Sequence, residues 1–218
     1  MNSSQNEKKI SNAVIRRLPR YFRYLRELIR NDIMRISSRE LSEKMNITAS
    51  QIRQDLNCFG GFGQQGYGYN VKFLYTEISK ILGVEGGITC VIIGIGNMGK
   101  ALVNNPLFEK RGIKVVGLFD TDPNVIGTNF GDLTVIDAVK CADFCRDNFV
   151  DIAVLTIPKA CANDVMTELS DTGISGVWNF SNAEISSPEG SGIHIENVHL
   201  GDSLMALCYE VANKKNIQ

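Results

Sequence analysis

Apolar residues at Ile15, Leu18, Phe22, Leu25 and Ile29 recur in steps of three and four, which draws one stripe along a helix. Pro19 in that run is expected near the helix start, where its missing N–H matters least. Ser37-Ser38-Arg39-Glu40 has the Ser-x-x-Glu spacing in which two side chains satisfy free amides at a helix start, and Thr48-Ala49-Ser50-Gln51 repeats the arrangement eleven residues on. The Met45-Asn46-Ile47 link leaves room only for a turn, and Leu41, Ile47, Ile52 and Leu56 supply a shared core. Phe59 to Tyr69 then alternates glycine with aromatics, so Gly63 to Gly66 reads as the tip of a hairpin. Val71, Leu74, Ile78, Ile81 and Leu82 mark one more helix, which Gly83 stops.

Beyond Gly83 the period changes. Continuous apolar runs predict buried strands at Thr89 to Ile93, Val115 to Phe119, Ile152 to Ile157, Gly176 to Phe180 and Ile193 to Val198. Helical stretches at Asp137 to Asn148 and Ala160 to Leu169 separate the later ones, and that alternation predicts a doubly wound parallel sheet. The residues that remain are enough for one last helix. The fold class is therefore α/β, with residues 1–83 as a winged helix-turn-helix domain, 84–200 as a Rossmann-like domain and 201–218 as a C-terminal helix.

Composition (44% apolar, 22% charged) describes a folded globule and excludes a disordered or fibrous chain. The start MNSSQNEKK lacks an apolar core and no run approaches eighteen apolar residues, so a cytoplasmic protein is expected. Six cysteines without a Cys-x-x-Cys read as reduced thiols, and no spacing points to a metal. The net charge of −1 conceals an asymmetry: residues 1–83 carry fourteen Lys and Arg against seven Asp and Glu, whereas the rest carry nine against seventeen. A cationic amino-terminal part points to a polyanion, the alternative being two domains that attract one another.

A helix, tight turn and second helix in a basic region form the helix-turn-helix pattern, whose second helix enters the DNA major groove by its N-terminal residues. Gln51 and Gln54 suit adenine and Arg53 suits guanine, with Ser50 on phosphate. With the helix start Thr48, the arginines Arg16 and Arg17 and the wing residues Gln64 and Gln65, these form the candidate DNA-facing set. The alternative is an ordinary helical hairpin with solvated faces.

Gly94-Ile95-Gly96-Asn97-Met98-Gly99 follows a strand and opens a helix, the context a dinucleotide fingerprint requires. One glycine makes the turn, one admits the pyrophosphate and one lets helix and strand pack, while the helix N-terminus offers free amides. Asp120 ends the next strand, 24 residues past Gly96, and accepts from a ribose 2′-OH, which favours NAD(H) over its 2′-phosphate. Further ligand contacts are expected beyond the strand ends at Thr156, Pro158 and Asn179. Only 119 residues follow the fingerprint, too few for a substrate domain, and no positioned acid–base set is visible, so an enzyme is not expected.

These residues together resemble the Rex family of bacterial redox-sensing repressors. The resemblance runs from RRLPRYFRYL through SSRELSEKMNITASQIRQDLNCFGGFGQQGYGYNV, ILGV, VIIGIGNMGKAL, FDTDP, DIAVLTIP and GVWNF to IENVHL. It implies a homodimer that exchanges its C-terminal helix, with Leu204, Leu207, Cys208 and Val211 as docking stripe. It also implies NAD(H) on Gly94, Gly96, Gly99 and Asp120, and an inverted-repeat operator released when NADH closes the dimer. The sequence departs from the family pattern at Gln54 and at Gln64-Gln65, where cations are usual. The family's Arg–Tyr–Asp switch is reduced to Arg23, Asn105 and His199. A paralogue with altered operator or blunted response, a small NAD-dependent oxidoreductase, and a nucleic-acid-binding module whose Rossmann part only dimerises are the alternatives.

Overall fold

The computed structural model describes residues 10–58, 63–64, 67–106 and 108–215. The chain divides into two compact units, Met1–Glu85 and Gly86–Gln218.

In the first unit α1 (Asn12–Arg30) starts at Ser11, whose side chain accepts from the Val14 N–H. Pro19 therefore lies inside the helix, not near its start. Its ring sits on the exposed face, and burial of Leu18, Tyr21, Phe22 and Leu25 holds the helix through the lost hydrogen bond. The buried stripe is Val14, Leu18, Tyr21, Phe22, Leu25 and Leu28; Ile15 and Ile29, expected in it, are exposed. A two-residue strand β1 (Arg35–Ile36) leads into α2 (Ser38–Met45). There the capping box is complete: Glu40 N–H donates to Ser37 Oγ at 3.1 Å, and Ser37 N–H donates to Glu40 Oε2 at 2.7 Å. Asn46, in the left-handed region at φ 50°, ends α2 and makes the turn.

α3 (Ala49–Asn57) starts at Thr48, whose hydroxyl accepts from the Gln51 N–H at 3.1 Å. The second capping box is only half made, because the Gln51 side chain runs forward to Asp55. β2 (Gly63–Gln64) and β3 (Gly68–Asn70) form the wing, and β1 pairs antiparallel with β3 to give the order β1-β3-β2. Gly63, expected in the hairpin tip, is thus a strand residue opposite Tyr69, and Gln65 and Gly66 of that expected tip lie outside the described residues. Gly68 has φ +68°, and a Cβ there would lie 2.7 Å from the Ile36 carbonyl oxygen, so β1 packs this closely only against glycine. α4 (Val71–Ile81) packs Val71, Leu74 and Ile78 into the same core, with Ile81 turned outward.

In the second unit a seven-stranded sheet runs β10-β9-β8-β4-β5-β7-β6 among the described residues. Its strands are β4 (Thr89–Ile93), β5 (Lys114–Asp120), β6 (Asn129–Phe130), β7 (Leu133–Asp137), β8 (Ile152–Leu155), β9 (Gly176–Asn179) and β10 (His194–Asn197). All pairings are parallel except β6 with β7, an edge hairpin absent from the sequence reading. Chain order reverses between β4 and β8, the switch point at which doubly wound sheets bind ligands. α5 (Asn97–Val103), α6 (Cys141–Asp147) and α7 (Ala162–Leu169) cover the sheet, the last two entered through short 3-10 turns at 138–140 and 159–161. Two apolar clusters follow: Val91, Ile93, Phe119, Leu155 and Met166 in one, and Cys90, Ile92, Leu118 and Val154 in the other. The alternating assignment along β4 is that of a strand buried on both faces.

α8 (Leu200–Lys215) ends the described chain, with Leu204, Leu207 and Val211 exposed.

Candidate functional site

α3 presents Ser50, Arg53 and Gln54 to solvent and holds Gln51 half-buried. Sequence reasoning missed what orients this helix. Asp55, on α3 itself, is 1% exposed. Arg17 reaches it from α1 in a bidentate fork, Nε to Oδ2 and Nη2 to Oδ1, both at 2.7 Å. Tyr21 donates its hydroxyl to Oδ2 at 3.0 Å, and Gln51 donates Nε2–H to Oδ1 at 2.8 Å. Burial raises the carboxyl's pKa, but the bonds from Arg17, Gln51 and Tyr21 outweigh it and hold the pKa below the usual carboxylate range. The same network raises Arg17, through its bond to Asp55, and pushes the Tyr21 phenol up, chiefly by burial.

Arg17, expected on DNA, is therefore the fold's counter-charge to Asp55, while Arg16 and Arg23 are exposed. The Arg23 guanidinium lies 5.6 Å from the centre of the Tyr24 ring. Arg53 extends toward α2 and donates Nη1–H to Ser38 Oγ at 3.1 Å. Thr48 caps α3, as described. Gln65 lies outside the described residues, as does the side chain of Gln64. At the wing Arg35, which the sequence did not single out, donates to the Tyr67 carbonyl at 3.2 Å and stacks 5.9 Å from its ring.

In the second unit the three fingerprint glycines differ in their surroundings. Gly94 has φ +92°, and a Cβ there would lie 2.7 Å from the Thr156 carbonyl oxygen. At Gly99 a Cβ would lie 2.0 Å from the Gly94 carbonyl oxygen, so only glycine lets α5 rest on the loop. Around Gly96 nothing lies within 4 Å of the added atom. Gly96 is also the N-cap of α5, with no side-chain cap. An open face, an uncapped helix start and exposed Asn97 beside half-buried Met98 make a cradle that fits a phosphate.

Asp120 borders the cradle: its Oδ2 accepts the Ile95 N–H at 2.5 Å and its Oδ1 accepts the Asp122 N–H at 2.9 Å. A carboxylate has about four acceptor sites, so a ribose hydroxyl can still be received. Ile95 turns its side chain fully into the core and offers only backbone. Thr156 donates its hydroxyl to the carbonyl oxygens of Gly94 (2.5 Å) and Ile93 (3.1 Å), clamping the end of β8 to the glycine loop, and Pro158 follows it, exposed.

Asn179, expected at the ligand, is buried and its amide is committed elsewhere. It donates to the Ala183 carbonyl and to Asn197 Oδ1, and its Oδ1 accepts from Ser181 N–H and Oγ. It locks a loop, a role invisible in sequence because Asn197 is eighteen residues away. Asn197 in turn donates to Glu184 Oε2 at 3.0 Å, and the Glu184 Oε1 is 2.8 Å from His199 Nε2. Asn105 closes the segment after α5, its N–H donating to the Leu102 carbonyl.

Cys90, Cys141 and Cys145 are buried core thiols, burial pushing Cys90 up to about 12. Among the described residues no group of three His, Cys, Asp or Glu could hold a metal.

Comparison with known proteins agrees with both halves. Residues 9–57 match the family described as "Putative DNA-binding protein N-terminus", and residues 87–183 match "CoA binding domain". The chain is similar to the redox-sensing transcriptional repressor Rex of Clostridium perfringens strain SM101, 50% identical over 205 residues, 94% of this chain and 96% of that one. To Rex of Thermoanaerobacter pseudethanolicus it is 52% identical over 203 residues, 93% of this chain and 90% of the relative. Among solved structures it is similar to RSP in complex with β-NAD+ and operator DNA (TM-score 0.88, 50% identity, 95% of each chain). It is also similar to RSP with β-NADH (TM-score 0.87, 45% identity, 96% and 97%).

Proposed function

The chain belongs to the Rex family of redox-sensing transcriptional repressors, and from that premise we propose that it binds operator DNA and releases it when NADH is bound. The relatives are transcriptional repressors by name, and RSP has been captured with NAD+ and operator and with NADH. The observation that carries the reading to this chain is the division of labour among its glycines: Gly94 and Gly99 admit no Cβ, whereas Gly96 opens on empty space at the start of α5.

Gly94, Gly96 and Gly99, with the backbone of Ile95, Asn97 and Met98, would hold the pyrophosphate, and Asp120 the adenosine ribose. Pro158 and the backbone of Thr156 lie beside the switch point, next to that cradle. When bound, the dinucleotide supplies the redox signal through its nicotinamide ring, which is cationic when oxidised and neutral when reduced. Arg53, Gln51, Gln54 and Ser50 would meet the duplex from α3, with Arg16 and the wing residues Gln64 and Gln65 alongside. Coupling requires only that NADH bind the form unable to grip DNA better than the form that grips it.

The reading includes a homodimer on an inverted-repeat operator, its exposed α8 stripe of Leu204, Leu207 and Val211 docking on a second copy. It places the protein in the cytoplasm with its operator; no helix among the described residues is long and apolar enough to cross a membrane. It assigns a sensor and not an enzyme. At the switch, Arg23, Asn105 and His199 stand where the family carries an Arg–Tyr–Asp set. The acid missing at His199 is present one hydrogen bond away, as Glu184.

The test is NADH binding to the wild type and to Gly96→Arg, followed by the fluorescence of the bound nucleotide. The arginine meets no protein atom at its Cβ, so wild-type binding with loss in a variant of unchanged Tm supports the cradle. Equal binding by both contradicts it.

A further inference from the structure

The first turn of α3 carries a tethered glutamine. Gln51 is half-buried, and one hydrogen of its carboxamide goes to Asp55 Oδ1 at 2.8 Å, one turn further along the same helix. Asp55 receives four hydrogen bonds, two from Arg17, one from Tyr21 and one from Gln51, which fills its acceptor sites. The carboxylate is thereby fixed between α1 and α3. Among the described residues no protein group takes the Gln51 Oε1 or its other amide hydrogen.

A free glutamine amide rotates broadly about its last torsion and presents oxygen and nitrogen almost interchangeably. A carboxylate partner removes that freedom, because only the NH2 end can face it. What remains is one N–H donor and one carbonyl acceptor in a set orientation, the pair that meets N7 and the N6 amino group of adenine in the major groove. Among the described residues, Ser50, Arg53 and Gln54 have no such tether to a buried charge.

We propose that Asp55 is the positioning residue for base readout: it orients the Gln51 carboxamide so that α3 selects adenine at one position of each half-site. The proposal rests on the DNA-binding function above. It separates two roles for one carboxylate, docking α3 through Arg17 and Tyr21 and setting specificity through Gln51.

The test measures affinity of the full-length protein for a panel of operator duplexes, each with one base pair changed, and for a random duplex. Wild type should discriminate about tenfold for adenine at one position per half-site, and against 7-deazaadenine there, which lacks the N7 acceptor. Gln51→Ala should lose that preference. Asp55→Asn should lose most of it, read as the ratio of affinities for the adenine duplex and its single-base variants, and Tyr21→Phe, which removes a different bond to the same carboxylate, should keep it. A preference that survives in Asp55→Asn overturns the proposal and leaves the repressor function standing. Absence of binding to any duplex overturns both. If Asp55→Asn does not fold, the side-chain amide resonances of wild-type Gln51 decide: slow exchange of one hydrogen supports the tether, and averaging like an exposed glutamine overturns it.

Discussion

Replacing Gly99 by alanine should damage the nucleotide cradle by moving a helix rather than by filling the site. The added Cβ would stand 2.0 Å from the Gly94 carbonyl oxygen, and an ordinary carbon–oxygen contact is about 3.3 Å, so a displacement of about 1.3 Å is required. Gly94 cannot retreat, because Thr156 holds its carbonyl oxygen by a hydroxyl hydrogen bond at 2.5 Å, and its φ of +92° fixes the turn. The shift therefore falls on α5 and its free amides at Asn97 and Met98. Overpacking of this kind costs about 1–3 kcal/mol, and alanine's better helix propensity returns about 0.5–1 kcal/mol, leaving a net loss of about 1–2 kcal/mol. For a unit of this size that lowers Tm by about 3–8 °C. Loss of one charge-assisted bond to the pyrophosphate weakens NADH binding about tenfold. Differential scanning calorimetry and NADH titration read the two effects, with Gly96→Ala, which meets no atom within 4 Å, as the packing control. A Gly99→Ala protein that melts within a degree of wild type and binds NADH equally refutes the account of these glycines.

Asp55→Asn should destabilise the first unit by about 2–3 kcal/mol at neutral pH, the full cost of a broken buried pair being discounted for the partial exposure of Arg17. Because the folded pKa of Asp55 lies below its unfolded value near 3.8, its contribution is complete above that value and fades as pH falls through the depressed one. Urea melts of wild type and variant should therefore converge as pH falls from neutral through the depressed folded pKa, and a gap that stays constant contradicts the sign. Arg53→Ala should lower specific operator affinity by about 1–3 kcal/mol; equal loss on random duplex marks a phosphate contact instead. Leu204→Asp with Leu207→Asp should convert a dimer to monomer in sedimentation, and a wild type already monomeric removes the docking role of α8.

Local signals were legible and long-range ones were not. The Ser37–Glu40 box, the Asn46 turn and the order strand, Gly94 to Gly99, helix were readable because their partners lie within a few residues. Asp55 was not, because its position on α3 marks it as surface until Arg17, 38 residues away, is seen to reach it. That one contact also gives Arg17 a part in the fold that its place in a basic run did not show. Two-residue strands such as β1 and β6 carry too few positions for a period, and Gly127 and Gly131 interrupt the apolar run before β7. Pro19 was placed by rule at a helix start, but Val14 is buried and Ser11 caps, so packing extends the helix beyond it. Of the expected ligand residues, Asn179 was drawn to the site by its place at a strand end, and only the bonds to Asn197 and Ser181 show its amide occupied.

The measurement that bears most directly on the coupling is fluorescence anisotropy of a labelled inverted-repeat duplex bound by the full-length protein at fixed salt, titrated separately with NADH and NAD+. Release by NADH, with the duplex retained in NAD+, is the predicted result. Anisotropy that holds its bound value at NADH concentrations shown independently to saturate the cradle contradicts the account.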